Sequence, residues 1–296
     1  MNAATSINQI PVHGLAEQVL REDSSALASA LHISLPEARR EVNMLLTRAG
    51  QVDLPTLLAH PECAVQARAT STYAQTLTRR LNGEPMAYVL GEREFYGLVF
   101  EVSPAVLIPR PETELLVELA LERLAAHSAA AVLDLGTGSG CIGVAVAKLR
   151  PAAQIVATEL SPEALTVARS NARRHGVTNI EFRLGSWFEA VAGERFDLIV
   201  SNPPYVAHGD GHLLQGGLRF EPIIALTAGP NGLEALQAIV SEVPRHLTEG
   251  GSLLLEHGFD QGEALAQLIR SAGLVDVIAR NDLAGIARAA AGRWRP

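Results

Sequence analysis

Four residues past the middle of the chain, Asn202, Pro203, Pro204 and Tyr205, bring together a side-chain amide, two rings that remove backbone donors, and an aromatic. They follow directly on the apolar run FDLIVS, where a buried strand should end. Two consecutive prolines can neither continue a sheet nor open a helix cleanly, so this segment is held in one extended shape. Upstream, VLDLGTGSGCIG sets Asp134 ahead of Gly136, Thr137, Gly138, Ser139 and Gly140. Glycines between a strand and a helix let the backbone approach a ligand closely, and the helix N-terminus that follows favours negative groups. Glu159 closes the next apolar run, roughly twenty residues on, where a carboxylate can accept hydrogen bonds from both hydroxyls of a ribose. The pattern reads as a cradle for a nucleoside cofactor, and NAD would satisfy it. Trp187, in LGSWF after the third run, can lie against a base or simply fill core.

The dinucleotide fingerprint G-x-G-x-x-G requires its third glycine where this chain has Cys141. The spacing D-x-G-x-G-x-G instead resembles the first motif of the seven-stranded S-adenosylmethionine-dependent methyltransferases. The resemblance implies S-adenosylmethionine as cofactor, with the methionine moiety at the Gly136 to Gly140 turn, the ribose at Glu159 and the adenine near Trp187. Where such enzymes usually carry an Asp before the last position, this chain has Ser186, so adenine recognition leans on backbone groups, the hydroxyl or water. An amide or exocyclic amine nitrogen is a poor nucleophile because its lone pair is delocalised. The Asn202 oxygen and the Pro203 carbonyl form an acceptor pair that can aim such an NH2 group, and Tyr205 can pack on its flat face. No strong general base is required, since the proton leaves once the nitrogen is cationic.

These residues need a frame. The first eighty or so residues read as short helices, with LPEARREVNMLLTRAG ending at Gly50, DLPTLLAH capped by Asp53, and AVQARATSTYAQTLTRRLNG stopping at Gly83. EFYGLVFEVSPAVLI alternates like a short hairpin. From residue 109 apolar runs alternate with amphipathic helices, which predicts a mostly parallel sheet covered on both faces, with two last strands from VDVIARNDLAGIARAAAG. The expected organisation is a helical domain over 1–84, a hairpin linker over 85–108 and a methyltransferase domain over 109–296, the first of them a substrate-docking domain by the family resemblance that follows.

Taken with PMAYVLGEREFYG, LIPRPETELLVE, RFEPIIAL and LLLEHG, the tetrad resembles the release factor glutamine methyltransferases over nearly the whole chain. That resemblance implies an α/β fold: a seven-stranded Rossmann-like methyltransferase sheet, with a small all-α N-terminal domain joined to it by a β-hairpin. It also implies methylation of the glutamine in the Gly-Gly-Gln loop of bacterial class-I release factors. By motif, the cofactor would meet the Gly136 to Gly140 turn, Glu159, Trp187 and Asn202. The glutamine would meet Asn202, Pro203, Pro204 and Tyr205, with Asn202, Pro203 and Tyr205 catalytic. Adenine-N6 and cytosine-N4 methyltransferases share the tetrad, which leaves adenine methylation of nucleic acid as the alternative, and a cofactor-free binding module as a reading from another class.

The net charge of −8 with 48% apolar residues favours a protein partner over duplex nucleic acid, whose phosphates demand a broad basic face. Cys63 and Cys141 lack metal-ligand or disulfide spacing, and no metal is expected. With no basic-apolar leader in MNAATSINQIPVHGLAEQ and no run of eighteen apolar residues, the expectation is a cytoplasmic protein without a membrane span. Arg110, Glu112 and Glu114 either face the substrate or begin a solvated helix. Glu221 and Pro222 are expected to form a wall, and His257 is expected to be packed rather than a base.

Overall fold

A computed structural model describes residues 12–125 and 129–295, with side chains from residue 16 onward. The sequence reading of residues 1–11 lies outside them. The chain divides into two compact units, one up to Leu90 and one from Gly91.

The first unit is a set of helices around Leu27, Val42, Leu45, Leu46 and Tyr73. Local chemistry sets their starts: the side chains of Ser34, Asp53 and Thr70 accept from the backbone N–H groups of Glu37, Thr56 and Tyr73. Two differences from expectation have a physical cause. The opening helix, Val12–Leu31, runs 20 residues, because the acidic residues in the polar stretch that interrupts its apolar period find partners on other helices. Buried Asp23 accepts from the Tyr73 hydroxyl at 2.7 Å and pairs with Arg68 at 3.0 Å. The run read as one helix to Gly83 is two, Pro61–Arg68 and Ser71–Leu81, because Thr70 turns extended to cap the second.

The second unit opens with a hairpin, β1 (Glu92–Phe95) and β2 (Leu98–Glu101), paired Phe95 to Leu98. Tyr96 and Gly97 both have positive φ, as a two-residue hairpin turn that matches strand twist requires. Glu114 fastens this turn by accepting from the Tyr96 N–H at 2.8 Å, so the carboxylate read as a solvated or substrate-facing charge has an anchoring job. At the other end, fully buried Asn171 accepts from Glu101 N–H and donates to the carbonyls of Glu101 and Ser139.

The sheet comprises β3 (Ala131–Leu135), β4 (Gln154–Glu159), β5 (Ile180–Leu184), β6 (Phe196–Ser201), β7 (Leu247–Glu256), β8 (Leu274–Asn281) and β9 (Ala287–Trp294). Their spatial order is 5-4-3-6-7-9-8, parallel except for β9, which runs against both of its neighbours. This is the expected seven-stranded arrangement. Alternation puts Val132, Leu198 and Leu254 on one face, against the helix Cys141–Leu149, and Leu133, Ile199, Leu253 and Leu255 on the other, against Glu234–His246. The chain leaves β3 toward β4 and returns on its other side as β6, so a crevice opens at the carboxyl ends of β3 and β6.

Candidate active site

Register brings the sequence motifs to one level of that crevice. Leu135 on β3 pairs with both Thr158 on β4 and Ser201 on β6. The next residue on each strand is therefore Gly136, Glu159 or Asn202. Gly136, Gly138 and Gly140 all have positive φ, and a Cβ on Gly138 would point into open space, which leaves that stretch of backbone approachable by a ligand. Asp134 shapes the turn from beneath: its Oδ2 accepts from the Thr137 hydroxyl at 2.6 Å and from the Gly143 N–H at 3.0 Å. Burial pushes its pKa up to about 6, against the pull of those two donors.

Glu159 is committed to backbone as well as facing the crevice. Its Oε2 accepts from Gly138 N–H at 2.9 Å, and its Oε1 from the N–H groups of Leu160 and Ser161. Each carboxylate oxygen has two lone pairs, so Oε2 keeps capacity for one more donor. Ser161, not Glu159, caps the following helix, by accepting from Ala164 N–H.

The tetrad follows β6 without regular structure until Val206, which bridges to Thr227. The Asn202 amide donates from Nδ2 to the Thr113 hydroxyl at 3.1 Å, which leaves its Oδ1 end to the pocket it lines. The Tyr205 hydroxyl donates to Glu256 at 3.2 Å, and burial raises the phenol pKa well above its ordinary range. The Tyr205 carbonyl accepts from the Gln261 amide, which also holds the Gly232 carbonyl.

A cavity of about 390 Å³ joins these parts, within the size range of small-molecule sites. Its lining includes the residues of the Gly136 to Ser139 turn, Glu159, Ser186, Trp187, Asn202, Pro203 and Pro204. Trp187 has φ +43 and holds its ring so that a Cβ on Gly136 would sit 3.4 Å from it. Gly140 and Tyr205, expected at the site, are not among its lining residues, and Gly140 is packed on Ala168. Arg110 and Pro222 also line the cavity, and the Arg110 guanidinium pairs with buried Glu221, whose other oxygen accepts from Ile108 N–H at 3.0 Å. His257 is fully buried, with Nδ1 2.7 Å from the Gly258 carbonyl, and burial lowers its pKa. Among the described residues no cluster of His, Cys, Asp and Glu could hold a metal ion, and no helix is long and apolar enough to cross a membrane.

Sequence reasoning did not single out Thr113, Glu256, Gly232 or Gln261, although the first two stand inside stretches quoted for the family resemblance. Thr113 and Asn202 are 89 residues apart, and no spacing rule links them.

Glu256 has a consequence for stability. Burial raises its pKa from 4.5 to about 7. Over that interval the native chain binds more protons than the unfolded chain, so stability falls as pH rises through it. The wild type is expected to gain thermal stability relative to Glu256→Gln on going from about pH 8 to about pH 6.5, measured by calorimetric melting of both. Below that range His257 acts in the opposite sense, because its lowered pKa leaves the unfolded chain taking up the proton.

Comparison with known proteins places the chain among relatives. Residues 126–279 match the model of a methyltransferase domain and residues 18–91 that of the PrmC N-terminal domain. A release factor glutamine methyltransferase of Xylella fastidiosa (strain Temecula1) is 49% identical, over 86% of this chain and 93% of that protein. One from Bordetella pertussis is 50% identical, over 86% and 94%. A methyltransferase structure from Pyrococcus furiosus, 18% identical, superposes with a TM-score of 0.52 over 75% of this chain and all of that one, a likeness of fold. Identity near one half over 86% of the chain is far more than a shared fold produces, and the chain belongs to the release factor glutamine methyltransferase family.

Proposed function

We propose that this enzyme methylates N5 of the glutamine in the Gly-Gly-Gln motif of bacterial class-I release factors, in the cytoplasm. The observation that carries the reading is the Asn202 amide, turned by Thr113 so that its oxygen end is left to a pocket that also contains the glycine turn. S-adenosylmethionine is the donor, and when bound it supplies an electrophilic methyl group on a sulfonium. The residues fit it: an approachable glycine turn, a carboxylate with one acceptor position left for a ribose hydroxyl, and an indole at the rim.

In this reading the Asn202 Oδ1 and the Pro203 carbonyl accept from the substrate NH2. That draws its lone pair out of amide resonance and aims it along the crevice. Pro203 and Pro204 keep the carbonyl direction fixed, and Tyr205, tethered to Glu256, keeps the end of the tetrad from swinging. The nitrogen loses its proton to water after the bond forms, so no base is assigned. Leu160 and Ile224 line the pocket and are 52% and 57% exposed, which suits a protein loop that covers them. The helical unit, with its own core, is the docking element for the rest of the release factor.

Mass spectrometry of release factor peptides after reaction tests the proposal: one added methyl on the glutamine of Gly-Gly-Gln is expected. Label from the donor appearing in nucleic acid and not in release factor would overturn it. Glu159→Ala is expected to weaken donor binding by about 100-fold in calorimetry, because a charged acceptor for the ribose and the tie to Gly138 N–H are lost together.

A further inference from the structure

Glu256 ends β7 behind the pocket rather than among its lining residues, and it is only 2% exposed. One carboxyl thereby touches one end of the tetrad directly, since Oε1 accepts from the Tyr205 hydroxyl. Its Oε2 has no hydrogen-bond partner. The hydroxyl of Thr113, also 2% exposed, lies close enough to draw the carboxyl's pKa down. Thr113 already accepts from Asn202 Nδ2, and a hydroxyl has a single proton to give, so that proton points away from the amide. A buried carboxylate oxygen with no other partner, Oε2, is the acceptor available to it.

We infer that Glu256 is a positioning residue for methyl transfer: through Thr113 it dictates that Asn202 turns its oxygen, and not its NH2, to the substrate, and through Tyr205 it anchors the other end of the tetrad. The inference rests on the proposed reaction. An ionised Glu256 accepts from both hydroxyls. A protonated one becomes a donor to Thr113, whose own proton is then released toward Asn202. The amide answers by turning its oxygen to Thr113, and its NH2 then meets the substrate NH2, donor against donor.

The groups that face Glu256 set where this exchange occurs. Burial raises its pKa to about 7, the hydroxyls of Thr113 and Tyr205 and the charge of Arg288 on β9 pull it down, and Glu112 pushes it up. Its neighbour His257 is buried and neutral. Turnover should therefore fall on acidification through neutrality while Glu256 itself makes the fold more stable, so unfolding does not explain the loss.

The test is the pH dependence of kcat on release factor for the wild type, Glu256→Gln, Thr113→Val and Thr113→Ser, with donor affinity measured alongside. Expected are an acid limb near pH 7 in the wild type and its absence in Glu256→Gln. A kcat loss of about 10- to 100-fold is expected in Glu256→Gln and Thr113→Val, with donor binding little changed and most activity restored in Thr113→Ser. Wild-type turnover by Thr113→Val, or an unmoved acid limb in folded Glu256→Gln, would overturn the inference. Should Glu256→Gln fail to fold, the Thr113 pair decides alone. A wild type that methylates no release factor would instead sink the proposed reaction, so the two failures are told apart.

Discussion

Replacing Asn202 by alanine is expected to lower kcat for release factor methylation by about 1000-fold, with the dissociation constant of the donor changed by less than about threefold. The asymmetry follows from where the side chain is held. Its Nδ2 end is taken by Thr113, and in the proposed reaction its Oδ1 end accepts from a substrate NH2 whose lone pair must be freed in the transition state. Donor affinity in the same proposal draws instead on the glycine turn, Glu159 and Trp187, which line the cavity and which the substitution leaves in place. The measurement is single-turnover methylation beside calorimetric binding. Equal losses in both would mean that Asn202 chiefly builds the donor site and that the acceptor role lies elsewhere.

A second large effect is expected at a residue that touches no ligand. Gly232 has φ +74, and a Cβ there would fall 2.4 Å from the Tyr205 carbonyl and 3.1 Å from the Ala207 nitrogen. Both neighbours are backbone, so neither can yield without moving the segment that follows Tyr205. That segment is also pinned by Gln261 and by the bridge between Val206 and Thr227. Gly232→Ala is expected to destabilise the protein by about 2–4 kcal/mol, from the left-handed backbone and the overlap together. It should cut kcat by about 100-fold, since a shift of about 1 Å in the tetrad is enough. Thermal melting and kcat with donor affinity unchanged would check it. An alanine variant as active as the wild type would show that the tetrad tolerates displacement.

Both predictions mark what the sequence could and could not disclose. The glycine turn, Glu159 and the tetrad were legible because each ends an apolar run, and in a parallel sheet the ends of neighbouring runs meet at one edge. Register then does the rest, since Leu135, Thr158 and Ser201 share one level. The helix from Val12 was harder to read, because its middle is polar and its buried Asp23 finds Arg68 and Tyr73 on other helices. What steadies the tetrad was illegible for the same reason. Thr113 sits between two glutamates that drew attention to themselves as charges, and Glu256 looks like an ordinary residue at the end of a strand. Their pairing with Asn202 and Tyr205 exists only after the sheet has closed the distance. Glu114 shows the converse: a conspicuous charge that serves the hairpin turn.

The position of Trp187 has a practical side. The chain contains two tryptophans, and they lie at opposite edges of the sheet. Trp294 packs at the last strand's far end, beside the core and away from the crevice, whereas Trp187 stands over the glycine turn. A donor bound in the crevice is expected to change the polarity around one indole and leave the other as it was. The protein thus carries both a sensor and its internal reference, and binding of the donor can be followed by intrinsic fluorescence with no label attached, with a Trp187→Phe variant supplying the silent control.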